Sequence, residues 1–405
     1  MARGAGGKPP ALEHPHLLKN YARAPITIVR GEGCWLIDDH GERYLDLVAG
    51  IAVCALGHAH PAIVGAIAAQ AATLVHASNL YHHEPAGELA NKLAAVSGFE
   101  RIFFCNSGTE ANEAALKLAR KRAFRLGQRE RNVILACRGS FHGRTFGALA
   151  ATDNPKYHEG FEPLPGGFAF TPFNDVAALE HAIDATVAAL IVEPIQGESG
   201  VFPATAEFLQ AARRLTQERG ALLIFDEIQT GMGRTGQLFA YQRFGVKPDA
   251  MTVAKALANG LPIGALLVTE EAAAALQPGD HGTTFGGSPV PCAAALAHLN
   301  LRDRMDLDGH VRAMGDLLLG ELREIATQYA ERFDEPRGVG LMLGLPVKEP
   351  HLAKDLVAAA LAECLLINAA GRNTIRLVPP LIIGEPELRE ALRRLRRAIV
   401  SWMNA

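Results

Sequence analysis

Seven short apolar runs, separated by segments of helical periodicity, constrain this chain more than any other feature. They fall at 102–105, 133–136, 167–170, 188–192, 221–225, 250–254 and 263–268. Each is far too short to cross a membrane and suits a strand buried on both faces, as in a parallel sheet covered by helices. The intervening text includes TEANEAALKLARKRAF, apolar at Ala111, Ala114, Ala115, Leu118 and Ala119, and EFLQAARRLTQERG, which closes on a glycine cap. Such alternation predicts an α/β domain with a mostly parallel seven-stranded sheet.

The flanks read differently. Residues 1 to 14 form a Gly/Pro/Ala-rich tail, and the runs at 27–29 and 34–37, with turn signals RGEG and DDHGERY, predict a small antiparallel meander. Pro61 opens an Ala-rich helix. From about 291 the text predicts a long helix to about 331, a strand in GVGLMLGL, a helix at about 350–364 and a basic final helix, hence a smaller α+β domain. The expected division is 1–60, 61–290 and 291–405. At 405 residues, 49% hydrophobic and 20% charged, the chain is long enough for such a globular enzyme.

Composition excludes several classes of function. A net charge of −3 gives no bulk attraction to nucleic acid or to a membrane, and the arginines of ELREALRRLRRAIV read as a solvated helix face. MARGAGGKPP lacks an apolar core for secretion and no run of about 18 apolar residues occurs, so a cytoplasmic protein is expected. Six cysteines without a CxxC spacing read as free thiols. His58, His60, His82 and His83 have no matching Cys or carboxylate cluster and read as caps and packing residues, not metal ligands.

Charge appears where strands end. The run at 221–225 stops at Asp226 and Glu227, and the run at 250–254 at Lys255. Open α/β sheets bind ligands beyond the carboxyl ends of their strands. A lysine and a carboxylate so placed suit pyridoxal phosphate (PLP), whose aldehyde condenses with a lysine amine and whose ring nitrogen a carboxylate keeps protonated. An ordinary strand-end ion pair fits the two residues equally well. After 102–105 comes NSGTEA, in which Ser107, Gly108 and Thr109 turn into a helix N-terminus. Exposed amides and the helix dipole there suit a phosphate, while Ser107 alone would make a plain cap. RGSFHGRT offers Phe141 to stack on a ring and Arg144 to grip a carboxylate. No GxGxxG follows a strand, which argues against a nicotinamide site.

Together DEIQTGMGRTG, AKALANGLPIGA, NSGTEA, EPIQGESG and HGTTFGGSP closely resemble the class III (subgroup II) aminotransferases of PLP fold type I, most of all the acetylornithine group. The resemblance spans nearly the whole chain and implies roles for individual residues. Lys255 would carry PLP, Asp226 face its ring nitrogen, Phe141 stack, Ile228 pack on the ring and Gln229 bond the phenolic oxygen. Ser107, Gly108 and Thr109 would hold the phosphate. Thr284 would reach the phosphate of a neighbouring subunit, implying a homodimer with shared active sites. Arg144 would bind the α-carboxylate of an acylated ornithine, Glu198 would pair with Arg376, and Asn79 and Tyr81 would line the substrate entrance. Ser288, grouped with the substrate residues, stands where many relatives have asparagine, a difference expected to bear on the turn. The N-terminal segment would pack with the C-terminal domain.

The implied reaction is reversible transfer of the terminal amine of N2-acetyl-L-ornithine to 2-oxoglutarate, giving N-acetyl-L-glutamate 5-semialdehyde and L-glutamate. Succinylornithine, ornithine and 4-aminobutyrate aminotransferases share most of these motifs. Ile51 stands where ornithine aminotransferases typically carry tyrosine. The Glu198 and Arg376 pair speaks against a glutamate-1-semialdehyde aminomutase. Retention of Lys255, Asp226, Gln229 and Phe141 speaks against a scaffold without cofactor.

Overall fold

The computed structural model describes residues 16–404, so the tail expected at 1 to 14 lies outside them. All seven apolar runs become strands of one sheet. Their order is Arg101–Cys105, Gly264–Val268, Ala250–Val253, Leu222–Asp226, Val187–Val192, Val133–Cys137 and Phe168–Thr171. Only Gly264–Val268 runs antiparallel to its neighbours. The central strand Leu222–Asp226 is buried along its whole length between parallel partners. Helix Gly108–Arg125 lays Ala111, Ala114, Ala115, Leu118 and Ala119 against the sheet, each at most 1% exposed. Small side chains on that face let the helix sit close to the strands that carry the site.

The N-terminal meander forms as expected, from Ile28–Glu32, Trp35–Asp38 and Arg43–Asp46. Its last strand pairs in parallel with Leu365–Leu366, so the two ends of the chain share a sheet. The remaining C-terminal strands make a separate four-stranded sheet that carries Arg376 on Thr374–Leu377.

Two expectations about the C-terminal region need correction. The long helix is two, Pro289–Met305 and Leu307–Gln328, because Asp306 takes a left-handed conformation (φ 43) and caps the second through Gly309 N. The strand expected in GVGLMLGL is a hairpin, Arg337–Val339 against Met342–Pro346. Gly340 (φ +57) makes the turn, and a Cβ there would come 2.8 Å from the Arg234 carbonyl. Glycine is therefore required at this position.

The final helix Glu385–Met403 neutralises its own arginines. Arg389 pairs with Glu385, Arg393 and Arg394 with Glu390, Arg396 with Glu321 and Arg397 with Glu363. The six cysteines are free thiols, and burial pushes Cys34, Cys105 and Cys292 up to about 12. Among the described residues no helix is long and apolar enough to cross a membrane.

Candidate functional site

Asp226 is the last residue of the central strand and is 4% exposed. Its Oδ2 accepts from Asn112 Nδ2 and His142 Nδ1, both at 2.8 Å, and its Oδ1 from Ile228 N at 3.0 Å. Three donors aimed at one carboxyl group fix its position. The sequence reading found Asp226 but missed Asn112, His142 and Thr252, whose hydroxyl donates to Asn112 Oδ1 at 2.8 Å.

Lys255 follows the adjacent strand and opens the short 3₁₀ turn Lys255–Ala258. Its φ of 35 is unusual for a residue with a side chain and breaks the strand direction as the chain passes the cavity wall. Burial lowers the Lys255 amine below its ordinary range, against the pull of the Glu198, Asp226 and Glu193 carboxylates. Glu193, which accepts from Phe141 N at 3.1 Å, is pushed well above the ordinary carboxyl range by burial and then by Asp226. The walls therefore hold a weakened base beside an acid inclined to keep its proton.

Ser107 is the N-cap of helix Gly108–Arg125, accepting from Glu110 N at 3.3 Å while its hydroxyl donates to Glu110 Oε2 at 3.1 Å. The cap reading thus holds for its side chain. The first-turn amides of Gly108 and Thr109, for which a helix supplies no carbonyl, lie at the cavity. A Cβ on Gly108 would stand 2.7 Å from Ile228 Cδ1. Ile228 and the phosphate-type loop therefore pack without room for a larger residue. The cavity between them, about 380 Å³, is also lined by Phe141, Arg144, Gln229 and Lys255.

A second charged group lies beside it. Arg376, 1% exposed, donates from Nη1 to Glu198 Oε1 at 2.5 Å, Gly197 O at 3.2 Å and Gln229 Oε1 at 3.3 Å. Gln229 Nε2 in turn donates to Glu198 Oε1 at 3.3 Å. Burial alone would raise the Glu198 carboxyl, but Arg376 and Lys255 outweigh it and hold it below the ordinary value. Arg144 differs in being exposed, with its guanidinium 3.5 Å from the centre of the Tyr157 ring and 5.6 Å from that of Phe141. Tyr157 was not anticipated from sequence.

Six of the residues singled out do not line this cavity within the single chain: Glu198 and Arg376, which reach it through Gln229, and Asn79, Tyr81, Thr284 and Ser288. Asn79 Nδ2 donates to the Thr283 and Gly286 carbonyls, both at 3.1 Å, and Ser288 Oγ to Phe285 O at 2.8 Å, so both brace the 283–288 turn. Tyr81 and Thr284 are exposed. His60 caps helix Pro61–Thr73 and His58 pairs with Asp46 at 2.8 Å, the capping and packing roles expected of them.

Fold and cavity together define a pyridoxal-type enzyme, with a lysine and a carboxylate on adjacent strand ends and a helix N-terminus facing them. The class-III aminotransferase model matches residues 18–399, and the chain belongs to that family. It is 48% identical over 391 residues to an acetylornithine aminotransferase of Thermosynechococcus vestitus, covering 95% of each chain. It superposes on an ornithine aminotransferase of Toxoplasma gondii with a TM-score of 0.93 at 32% identity, covering 96% of this chain and 94% of that one. An amine transaminase of an uncultivated Pseudomonas species in its PLP-bound form gives 0.90 at 30% identity, with 96% and 98% covered. Class-III aminotransferases depend on PLP. The residues here fit it: Lys255 and Asp226 on adjacent strand ends lining one cavity, the Gly108 cradle against Ile228, and first-turn amides for a phosphate.

Proposed function

We propose that this aminotransferase moves the terminal amine of N2-acetyl-L-ornithine to 2-oxoglutarate, yielding N-acetyl-L-glutamate 5-semialdehyde and L-glutamate, as a cytoplasmic step of arginine biosynthesis. The observation that carries this reading is the buried Arg376 closed off by Glu198 beside an exposed, uncovered Arg144. An ω-amine donor presents no carboxylate next to its reacting carbon, and 2-oxoglutarate does. A site serving both must hide one arginine in one half-reaction and expose it in the other. The first relative named above favours acetylornithine at 48% identity over the ornithine enzyme at 32%.

In this reading the cofactor, when bound, supplies the electron sink for the carbanion formed at the substrate carbon. Lys255 Nζ, whose neutral and proton-accepting form is favoured by burial, takes the proton from that carbon and returns it. Asp226 would face the ring nitrogen, Phe141 would stack on the ring, Ile228 would pack against it and Gln229 would bond its phenolic oxygen. Ser107, Gly108 and Thr109 receive the phosphate. Arg144 binds the α-carboxylate of the acylated donor and Arg376 that of 2-oxoglutarate.

The same reading assigns a homodimer in which Thr284 reaches the neighbouring subunit's phosphate and Asn79, Tyr81 and Ser288 border the entrance. It is supported by the exposed apolar residues Val75, Leu80, Tyr81 and Phe285 around the turn that Asn79 braces. It also divides the chain into 1–60, 61–290 and 291–405, supported by the sheet shared between the N-terminal meander and Leu365–Leu366.

Turnover of N-acetylornithine, N-succinylornithine, ornithine and 4-aminobutyrate with 2-oxoglutarate tests the assignment. The highest kcat/KM is expected for N-acetylornithine, and a clear preference for free ornithine would overturn it.

A further inference from the structure

Asn112 and Thr252 form a polar chain behind Asp226 that the reaction as described does not use. We propose that Asn112, braced by Thr252, is a positioning residue that holds the Asp226 carboxyl group aimed at the cofactor's ring nitrogen. The inference rests on the reading that Asp226 faces that nitrogen.

Asn112 lies on the buried face of helix Gly108–Arg125 and is fully buried. Asparagine is a poor helix former and an expensive residue to bury, so a position like this is usually alanine or leucine unless each polar atom finds a partner. Here each does. The amide nitrogen donates to Asp226 Oδ2 at 2.8 Å and to the His142 carbonyl at 2.7 Å, and the amide oxygen accepts from Thr252 Oγ1 at 2.8 Å. Turning the amide over would set its oxygen against a carbonyl and a carboxylate and leave the Thr252 hydroxyl facing an NH₂ group. The His142 carbonyl and the Asp226 carboxylate, which can only accept, thus fix the orientation that presents a donor to Asp226, and the Thr252 hydroxyl braces it by donating to the amide oxygen. Thr252 can do so because it is the register partner of Asp226 across the parallel pair Leu222–Asp226 and Ala250–Val253.

The chain has a second arm. His142 is 1% exposed, its Nδ1 must carry the proton to donate to an acceptor-only carboxylate, and its backbone N–H is held by Thr152 Oγ1 at 2.9 Å. The Asn112 amide ties the arms together, since one NH₂ group serves both Asp226 and the His142 carbonyl. Removing the amide therefore loosens Asp226 directly and frees the loop that carries its other side-chain donor.

The test separates a positioning role from a structural one by changing the cofactor instead of the fold. Apoprotein is titrated with PLP and with the carbocyclic analogue in which the ring nitrogen is replaced by C–H, in the unmutated protein and in Asn112→Leu, Thr252→Val and Thr252→Ser. The unmutated protein should bind PLP more tightly than the analogue. Asn112→Leu should weaken PLP by roughly 10-fold or more while leaving the analogue within about 3-fold, as for loss of one hydrogen bond to a charged group. Thr252→Val should fall between, and Thr252→Ser, which keeps the hydroxyl, should restore PLP binding. Equal weakening of both ligands in Asn112→Leu, or retention of full preference for PLP, overturns the proposal. Absence of any preference in the unmutated protein would instead refute the placement of Asp226 at the ring nitrogen.

Discussion

Asp226 lines the cavity and Glu198 stands behind its Gln229 wall, and the two carboxylates are held in different ways. Asp226 is gripped by donors from a helix, a loop and its own following turn, and it is 4% exposed. Glu198 has a 28% exposed side chain and relies on Arg376 and Gln229, which also bond each other and so can close ranks without it. The first carboxylate is fixed from three sides, whereas the second rests on two partners that also hold each other. A cofactor that stays through every turnover calls for the first kind of support, and two substrates that take turns call for the second.

Variants can break this contrast. At the fixed end, Lys255→Ala should lower turnover by roughly 10³-fold or more and remove the borohydride-reducible adduct, because it deletes both the covalent attachment and the base. Persistence of an adduct at another lysine, read by peptide mass spectrometry, would reassign the site. Asp226→Asn keeps the shape and removes the charge, and a loss of about 10²-fold or more in kcat with cofactor retained is expected. Near-normal turnover would make the carboxylate structural. At the adjustable end, Arg376→Ala should weaken 2-oxoglutarate by about 2 to 4 kcal/mol, since it removes the buried partner of an incoming carboxylate.

The smallest effect concerns stability away from the cavity. Burial works against protonation of His58, but the hydrogen bonds to Asp46 and Cys54 prevail and raise it from its usual 6.5 to about 9. The folded chain thus binds this proton more tightly than the unfolded one. The stabilisation is complete below pH 6.5 and disappears as pH rises through about 9. His58→Gln should flatten that part of the Tm-against-pH curve, and an unchanged slope would show that the pair contributes nothing.

What the sequence revealed follows from the same physics. Seven strands were legible because burial on both faces demands uninterrupted apolar runs, and Asp226 and Lys255 because charge at the end of such a run is conspicuous. Asn112, His142 and Thr252 were not. Each is unremarkable in its own segment, and their bonds to one another and to Asp226 join positions 30 to 140 residues apart. The break at Asp306 and the hairpin at Gly340 were missed because a single left-handed residue interrupts otherwise continuous patterns.

The central claim, that Glu198 masks Arg376 for one substrate and yields it to the other, is tested most directly by single-turnover kinetics of Glu198→Ala with each amino donor. With the mask removed, the half-reaction with glutamate should gain relative to that with N-acetylornithine by roughly 10-fold or more, as expected when a charged hydrogen bond no longer competes for the arginine. An unchanged ratio between the two donors would contradict the account.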